Sequence, residues 1–312
     1  MRDARHVFTT RWNAALLPLC ACIVAAPAKA QVRGVYPLGM SVIGSGTLPA
    51  SGITYSNFFL FYARNQLRGP DGELLATGRN SVLMDMNTIA WVSNARMLGG
   101  ARYSLTATIP IANNSLTSDS QGAVSGGGGL GDSFYQPVIL GWSLARADVK
   151  VAYGFLAPTG RYTAGAADNV GSGYWTHVLS AGQTVYLTSD RATALSTFEM
   201  YEFHGTQEGT AVHPGQNLDL DYSLTRTLRL AEDLHMQAGL VGYAQWQSTD
   251  KSGPAVSPAQ ATAHYRVYAL GVGSNLLLPT RQVTLGLRYF DEFASRSTLE
   301  GYSVQISATI AF

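Results

Sequence analysis

A period-two alternation of apolar and polar residues, repeated in about twelve long segments, constrains the fold of this chain most strongly. The segment 300–312 is the clearest example, because apolar residues from Tyr302 to Phe312 occupy every second position and mostly small polar residues lie between them. Successive side chains of a strand point to opposite faces, so the alternation predicts a strand with one apolar face. A soluble β-sandwich would show the same pattern in a single strand.

The set of segments is more informative than any one of them. We predict strands at roughly 53–66, 81–93, 100–112, 133–145, 148–158, 174–188, 192–204, 217–230, 234–248, 264–278, 282–293 and 300–312. Strands of about ten to thirteen residues exceed the five or six common in soluble sheets and match a tilted membrane crossing.

The connections between these segments alternate in length. The long connections are 67–80, 113–132, 159–173, 205–216 and 249–263, and the short ones are 94–99, 146–147, 189–191, 231–233 and 279–281, with 294–299 intermediate. Long loops at one end and tight turns at the other are typical of transmembrane barrels. The sequence therefore predicts an all-β fold, a transmembrane antiparallel β-barrel of about 12 strands, in the outer membrane of a Gram-negative bacterium.

The first thirty residues have the order of a secretory signal peptide. A basic start precedes an apolar run at 14–26 that is too short to span a bilayer, and Ala28-Lys29-Ala30 forms a small-x-small cleavage site. Cleavage before Cys22, as in a lipoprotein, is the less favoured interpretation. Both cysteines lie in this segment, so the rest of the chain offers no disulfide or thiolate chemistry.

The chain thus divides into a signal peptide at 1–30, an N-terminal segment at 31–52 and the barrel at 53–312. The segment 31–52 is apolar but rich in glycine, and it carries Val35, Tyr36 and Val42. Such residues would be poorly placed in open water. We predict that it enters the barrel lumen as a plug, with a loose leader as the alternative.

Composition and charge limit the partners of the chain. Charged residues make up 13% of it, about half the roughly 25% usual in soluble domains. After residue 30 there are 17 basic and 19 acidic residues, a net charge of −2 that gives no electrostatic footprint for nucleic acid. The partners expected instead are outer-membrane lipid and a small apolar solute.

The alternation places a set of charged side chains on the predicted inner face of the barrel. They are Asp85, Arg102, Lys150, Glu199, Asp219, Asp221 and Arg288. Charges facing a lumen can set a preference for certain solutes. The alternative is that they bind one another across the interior and hold the shape of the barrel.

A search for catalytic, cofactor or metal chemistry gives no residues to assign. His177 and Ser180 would lie on opposite faces of a strand and cannot form a nucleophile–base pair. Asp219 and Asp221 share a face and offer oxygens that calcium accepts, but two solvated lumen carboxylates explain them better. The glycine run before Asp132 lacks the Lys-Ser/Thr of a phosphate-binding loop. We therefore expect no enzyme activity, no cofactor and no metal.

Three stretches resemble a known outer-membrane family, the one named after the meta-pathway of phenol degradation. Its start is similar to Tyr36-Pro37-Leu38-Gly39 and the aromatic strand that follows. Its later motifs are similar to residues in and around 129–137 and 158–173. Those motif residues are Gly131, Asp132, Pro137, Pro158, Thr159 and Gly160. The terminal Phe312 resembles the signature that the barrel-assembly machinery recognises.

The resemblance covers nearly all of the chain after residue 30, and the family is distantly similar to long-chain fatty-acid and aromatic-hydrocarbon channels. It implies a transporter-like outer-membrane protein and no catalytic residues. The predicted function is a channel for small hydrophobic or aromatic compounds. The alternatives are a structural or binding barrel without transport and, less favoured, a membrane-embedded enzyme.

Overall fold

The computed structural model describes residues 33–118, 122–166 and 168–312, so the predicted signal peptide lies outside the described residues. Thirteen strands lie within these ranges. They are β1 (Gly52–Arg68), β2 (Leu74–Met97), β3 (Ala101–Ser118), β4 (Gly122–Leu130), β5 (Ser133–Ser143), β6 (Ala147–Ala157), β7 (Thr176–Tyr186), β8 (Thr193–His204), β9 (Asn217–Ala231), β10 (Leu234–Gln247), β11 (Arg266–Leu278), β12 (Val283–Arg296) and β13 (Leu299–Ala311). A five-residue helix, α1 (Pro258–Thr262), precedes β11. None of the helices in the described ranges is long and apolar enough to cross a membrane.

Twelve of these strands form a closed antiparallel barrel. Each pairs with its neighbours along the chain, β3 pairs with β5, and β1 pairs with β13, so the first and last strands close the ring. The pairing of Phe59 with Ile306 shows the register of this closure. The predicted twelve-strand transmembrane barrel is therefore confirmed, and every predicted strand is present.

The strand β4 lies outside the ring and was not predicted. Among the described strands it pairs only with the second half of β3, where Ile111 is opposite Leu130 and Asn113 is opposite Gly128. The sequence assigned this stretch to a loop, because its run of glycines is typical of loops. The pairing with β3 supplies backbone hydrogen bonds that do not depend on side chains, and these hold the glycines in a strand.

The barrel wall has one strongly apolar face. Large hydrophobic side chains are exposed at alternate positions, for example Ile89, Leu179 and Val272, which are 59%, 54% and 58% exposed. The side chains between them point to the inner face, where they are buried or half-buried. Since a soluble protein would cover so large an apolar surface, this exterior is typical of a barrel that faces lipid.

Aromatic side chains collect toward the two ends of the apolar exterior. Trp91 contacts Tyr103 near the short turns, with ring centroids 6.1 Å apart. Near the longer loops, Phe61 contacts Tyr302 at 6.1 Å and Trp246 contacts Tyr268 at 5.8 Å. Two belts of this kind mark the boundaries of a membrane-spanning band. The two ends of the barrel are called the long-loop end and the short-turn end below.

Residues 33–48, called the inner segment below, run through the lumen from the long-loop end toward the short-turn end. Val42 is fully buried and packs in a cluster with Tyr243, Val267 and Phe290 of the barrel. Tyr36 packs in a second cluster against Phe198. The core of the molecule therefore lies between the inner segment and the barrel wall.

Candidate functional site

The inner segment is tied to the wall at its beginning by an ion pair. Arg33 donates to both carboxylate oxygens of Glu292, at 2.7 and 3.1 Å, and also donates to the hydroxyl of Tyr62 and the carbonyl of Leu299. Tyr243 donates to the same carboxylate at 2.9 Å. A bidentate arginine pair with further hydrogen bonds to the buried carboxylate is among the stronger contacts available in an interior.

Two carboxylates of the wall hold the next turn of the inner segment. Glu202 accepts from the backbone N–H groups of Val35 at 3.0 Å and Tyr36 at 2.7 Å. Asp221 accepts from the Tyr36 hydroxyl at 2.7 Å, and from the backbone N–H groups of Gly39 at 2.9 Å and Ser41 at 3.0 Å. The lumen carboxylate Asp221 thus organises a tight turn of the segment.

Gly39 and Gly46 let this path exist. Gly39 has φ +85°, a left-handed conformation that glycine adopts without steric cost. A Cβ on Gly46 would lie 1.9 Å from the carbonyl oxygen of Asp148, because the segment passes directly against the wall. Near the short-turn end the Gly46 N–H donates to the Thr184 hydroxyl at 3.0 Å. The segment therefore lies directly against the wall near the short-turn end, and position 46 has no room for a larger side chain.

Five of the seven charges predicted to face the lumen lie on the inner face. Asp219 and Asp221 are fully buried there and Arg288 is 6% exposed. Arg102 contacts the inner segment at the Leu48 carbonyl, 3.5 Å away. Lys150 lies 5.9 Å from the centre of the Phe198 ring, against which Tyr36 packs. Their roles in solute preference stay a prediction.

Asp85 and Glu199 lie on the outer face, and their predicted inward orientation is wrong. Asp85 shares its face of β2 with Ile89, and Glu199 pairs with Leu220 on the outer side of β8. The inner face of β2 carries Met84 and Met86, and that of β8 carries Phe198 and Met200, all packed toward the inner segment. Where the lumen is filled with apolar residues, the apolar face of a strand no longer identifies the lipid side.

A cavity of about 780 Å³ lies between the inner segment and the long loops. Four of the chain's seven methionines line it: Met40 from the segment, Met84 and Met86 from β2, and Met200 from β8. Most of the remaining lining surface is apolar, but the cavity is also bordered by several polar side chains and by the charged Arg33 and Asp132. The other lining residues include Tyr36, Pro37, Thr108, Pro110, Ala112, Phe134, Leu156, Tyr162, Val170, Tyr174, Gln207 and Thr210.

A locked loop base forms one wall of the cavity. Asp132 accepts from the backbone N–H of Gly160 at 2.9 Å, and from the N–H and hydroxyl of Ser172 at 2.8 and 2.6 Å. Ser133 N–H donates to the Thr159 hydroxyl at 2.9 Å. A Cβ on Gly160 would lie 2.7 Å from the Cα of Gly171, so the two ends of the loop meet at a pair of glycines.

These contacts involve several of the residues singled out in the sequence. Gly131, Asp132, Thr159 and Gly160 all lie at this loop base. Residues 64–308 match the family described as "Putative MetA-pathway of phenol degradation". The chain belongs to this family.

Solved structures show how this member of the phenol-degradation family compares with other barrels. An outer membrane channel from Pseudomonas putida F1 is 14% identical, with a TM-score of 0.68, and the match covers 86% of this chain and 97% of that one. The β-domain of the Bordetella autotransporter BrkA is 14% identical, with a TM-score of 0.50, and the match covers 84% and 100%. At these identities the likeness shows the fold. No curated protein is significantly similar in sequence.

Pro137, another of the family motif residues, lies inside a strand. It lies at a bulge in β5, where the register of pairing shifts on both sides, between Tyr135 and Val138 toward β6 and between Ser104 and Thr106 toward β3. Proline has no N–H to give to a ladder, so it is confined to such positions. Pro158 lies at the start of the loop that the base locks.

Sequence reasoning missed Glu202, which holds the inner segment of this family member. A signal was available in the same strand: Leu195, Tyr201 and Phe203 share one parity, and aromatic residues near a strand end are typical of the membrane interface. That parity places Glu202 inside and Glu199 outside. His177 and Ser180 lie on opposite faces of β7, with His177 contacting Tyr153 on the outside at 2.9 Å.

Proposed function

We propose that this protein is a channel of the outer membrane of a Gram-negative bacterium, and that its cargo is small hydrophobic compounds, aromatic ones among them. The observation that carries the proposal is the methionine-lined cavity inside the barrel. A lipid-facing exterior, membership of the phenol-degradation family and the barrel fold support it. The protein of similar fold from Pseudomonas putida F1 is described as an outer membrane channel.

The size of the cavity fits small apolar molecules. About 780 Å³ lies within the range of roughly 300–1,000 Å³ typical of ligand pockets, and about 150 Å³ is enough to hold benzene in a protein interior. Methionine side chains are flexible and polarisable, and their sulfur atoms make favourable contacts with aromatic rings. Because four methionines line the cavity, its wall can adapt to several apolar ligands and does not select one ligand of a single shape.

Passage beyond the cavity involves the inner segment. Tyr36 and Met40 form part of the cavity wall, and the residues after Met40 continue through the lumen toward the short-turn end, packed against the wall at Val42 and Gly46. A solute that enters from the long-loop end therefore meets the segment. We infer that displacement of its hydrogen-bonded turn at Asp221 opens the way, and that Phe312 serves recognition by the barrel-assembly machinery rather than transport.

A matched pair of substitutions tests the proposal. Met200→Gln places an amide in the apolar cavity, at a cost of about 1–3 kcal/mol to the binding of an apolar ligand. Met236→Gln makes the same change on the outer side of β10, away from the cavity. The measurement is uptake of radiolabelled naphthalene by cells that carry wild type, either variant or an empty vector in place of the native gene.

We expect Met200→Gln to lower the initial uptake rate about tenfold and Met236→Gln to leave it near wild type. Heat-modifiable migration on gels confirms that each barrel is folded. Equal uptake by wild type and the empty vector would instead favour a structural barrel without transport. Equal uptake by wild type and Met200→Gln would show that the cavity is not on the path.

A further inference from the structure

A cluster of polar side chains lies on the lipid-facing surface of β1 and β2. Tyr55 and Asn57 come from β1, and Asp85 and Asn87 come from β2; these four residues are called the outer polar patch. The Tyr55 hydroxyl donates to Asn87 Oδ1 at 2.6 Å, and Asn57 Nδ2 donates to Asp85 Oδ1 at 2.5 Å and to Asn87 Oδ1 at 3.3 Å. The four side chains form one hydrogen-bonded network on the outside of the wall.

The outer polar patch lies in the middle of the apolar band. Asn57 pairs with Asn87, four residues from the pair of Ile53 with Trp91 and four from the pair of Phe61 with Leu83. A tilted strand rises about 2.5 Å per residue along the membrane normal. The aromatic side chains of these two pairs, Trp91 and Phe61, therefore each lie about 10 Å in depth from Asn57 and Asn87. The neighbouring strand presents Ile109 and Ile111 at the same level, 52% and 49% exposed.

Three hydrogen-bonding atoms of the patch have no partner among the residues that the structure describes. The second carboxyl oxygen of Asp85 and Asn57 Oδ1 accept no hydrogen bond, and Asn87 Nδ2 donates none. The hydrocarbon region offers no water to satisfy these atoms, and polar groups facing lipid at this depth destabilise a barrel. A polar partner at this site would remove the cost.

We propose that the outer polar patch is the contact surface of a homodimer in the membrane. A second copy related by a two-fold axis presents the same free acceptor and the same free donor, so Asn87 of each copy donates to Asp85 of the other. The Asp85 and Asn87 side chains both accept from Asn57, so they converge and can meet their counterparts together. In lipid, hydrogen bonds of this kind hold membrane segments together where apolar packing gives little preference.

Self-complementarity favours a second copy over other occupants. A cationic partner would satisfy the acceptor and leave the amide donor of Asn87 unpaired. A lipid headgroup would have to leave the interface and descend about 10 Å into the acyl chains. A second copy joins the free donor of Asn87 to the free acceptor of Asp85 on both sides, through one pair of reciprocal hydrogen bonds.

The test uses single cysteines, because the chain after residue 30 has none. Ile109→Cys places a thiol on the strand beside the patch, and Val272→Cys places one on the outer face of β11, away from the patch. Each is treated with a short bismaleimide in isolated outer membranes. We expect cross-linked dimers from Ile109→Cys and few from Val272→Cys.

Substitutions within the outer polar patch then test whether the patch causes the dimerisation. In the Ile109→Cys background, Asn87→Asp sets carboxyl against carboxyl, and Asn87→Leu removes the donor without adding a polar group. Each should lower the dimer yield at least about tenfold. The exchanged pair Asp85→Asn with Asn87→Asp restores a donor opposite an acceptor and keeps both acceptors for Asn57, so it should restore the dimer.

Three results would overturn the proposal. One is equal cross-linking from Ile109→Cys and Val272→Cys, which crowding alone explains. Another is a dimer that persists in folded Asn87→Leu, or that the exchanged pair fails to restore. The third is cross-linking of Ile109→Cys to a different protein in place of a second copy.

Discussion

Asp221 offers the sharpest test of how the inner segment is held. Its carboxylate accepts three hydrogen bonds from the segment, from the Tyr36 hydroxyl and the N–H groups of Gly39 and Ser41. Asp221→Ala leaves the Tyr36 hydroxyl and the Gly39 N–H without an acceptor, while the Ser41 N–H keeps the Tyr36 hydroxyl at 3.0 Å. Each such loss costs about 1–3 kcal/mol, so the lower end for two is about 2 kcal/mol, a change of roughly 30-fold in the equilibrium between seated and released segment.

The assay is the rate of maleimide labelling at Val42→Cys, a position in the inner segment that is fully buried against the barrel wall when the segment is seated. Labelling there requires release of the segment, so we expect the rate to rise by about 30-fold in Asp221→Ala. Asp219→Ala is the matched control, because Asp219 lies two residues away on the same face and accepts its hydrogen bond from Gln245 of the wall, at 2.6 Å. Equal acceleration by the two variants, or none by Asp221→Ala, would refute the assignment of Asp221 as an anchor.

Two further predictions concern the loop that walls the cavity. Asp132→Ala removes three hydrogen bonds at the loop base, so hydrogen–deuterium exchange at Gly160 and Ser172 should become at least tenfold faster while exchange in β9 stays unchanged. The hydrogen bond and charge of Arg161 hold the pKa of Asp168 below its ordinary 3.8. The contribution of this exposed pair to stability is therefore present above about pH 4 and is lost as the pH falls through the lower folded pKa. An NMR titration of the Asp168 carboxyl should give a midpoint below 3.8 that rises in Arg161→Gln.

The positions of the twelve barrel strands could be predicted because each strand carries its own signal. Alternation along β13 and the turns between strands are local, so they can be recognised without knowing what each strand pairs with. The strand β4 gave no such signal, since its pairing with β3 depends on backbone groups and five of its nine residues are glycine.

The orientation of two strands could not be predicted for a different reason. The rule that apolar residues face lipid assumes a polar lumen. The inner segment makes the lumen apolar along β2 and β8, so Met86 and Phe198 face inward, and Asp85 faces lipid. The hydrogen bonds that Glu202 and Asp221 accept from the segment join residues more than 160 positions apart, and no local pattern marks them.

The measurement that tests the central claim most directly is the location of a bound apolar ligand inside the barrel. Crystals soaked with bromobenzene give an anomalous diffraction signal from bromine, which locates the ligand independently of its fit to the electron density. We expect bromine peaks in the cavity beside Met40, Met84 and Met200. Bromine peaks confined to the outer surface of the barrel, with the cavity empty, would contradict it.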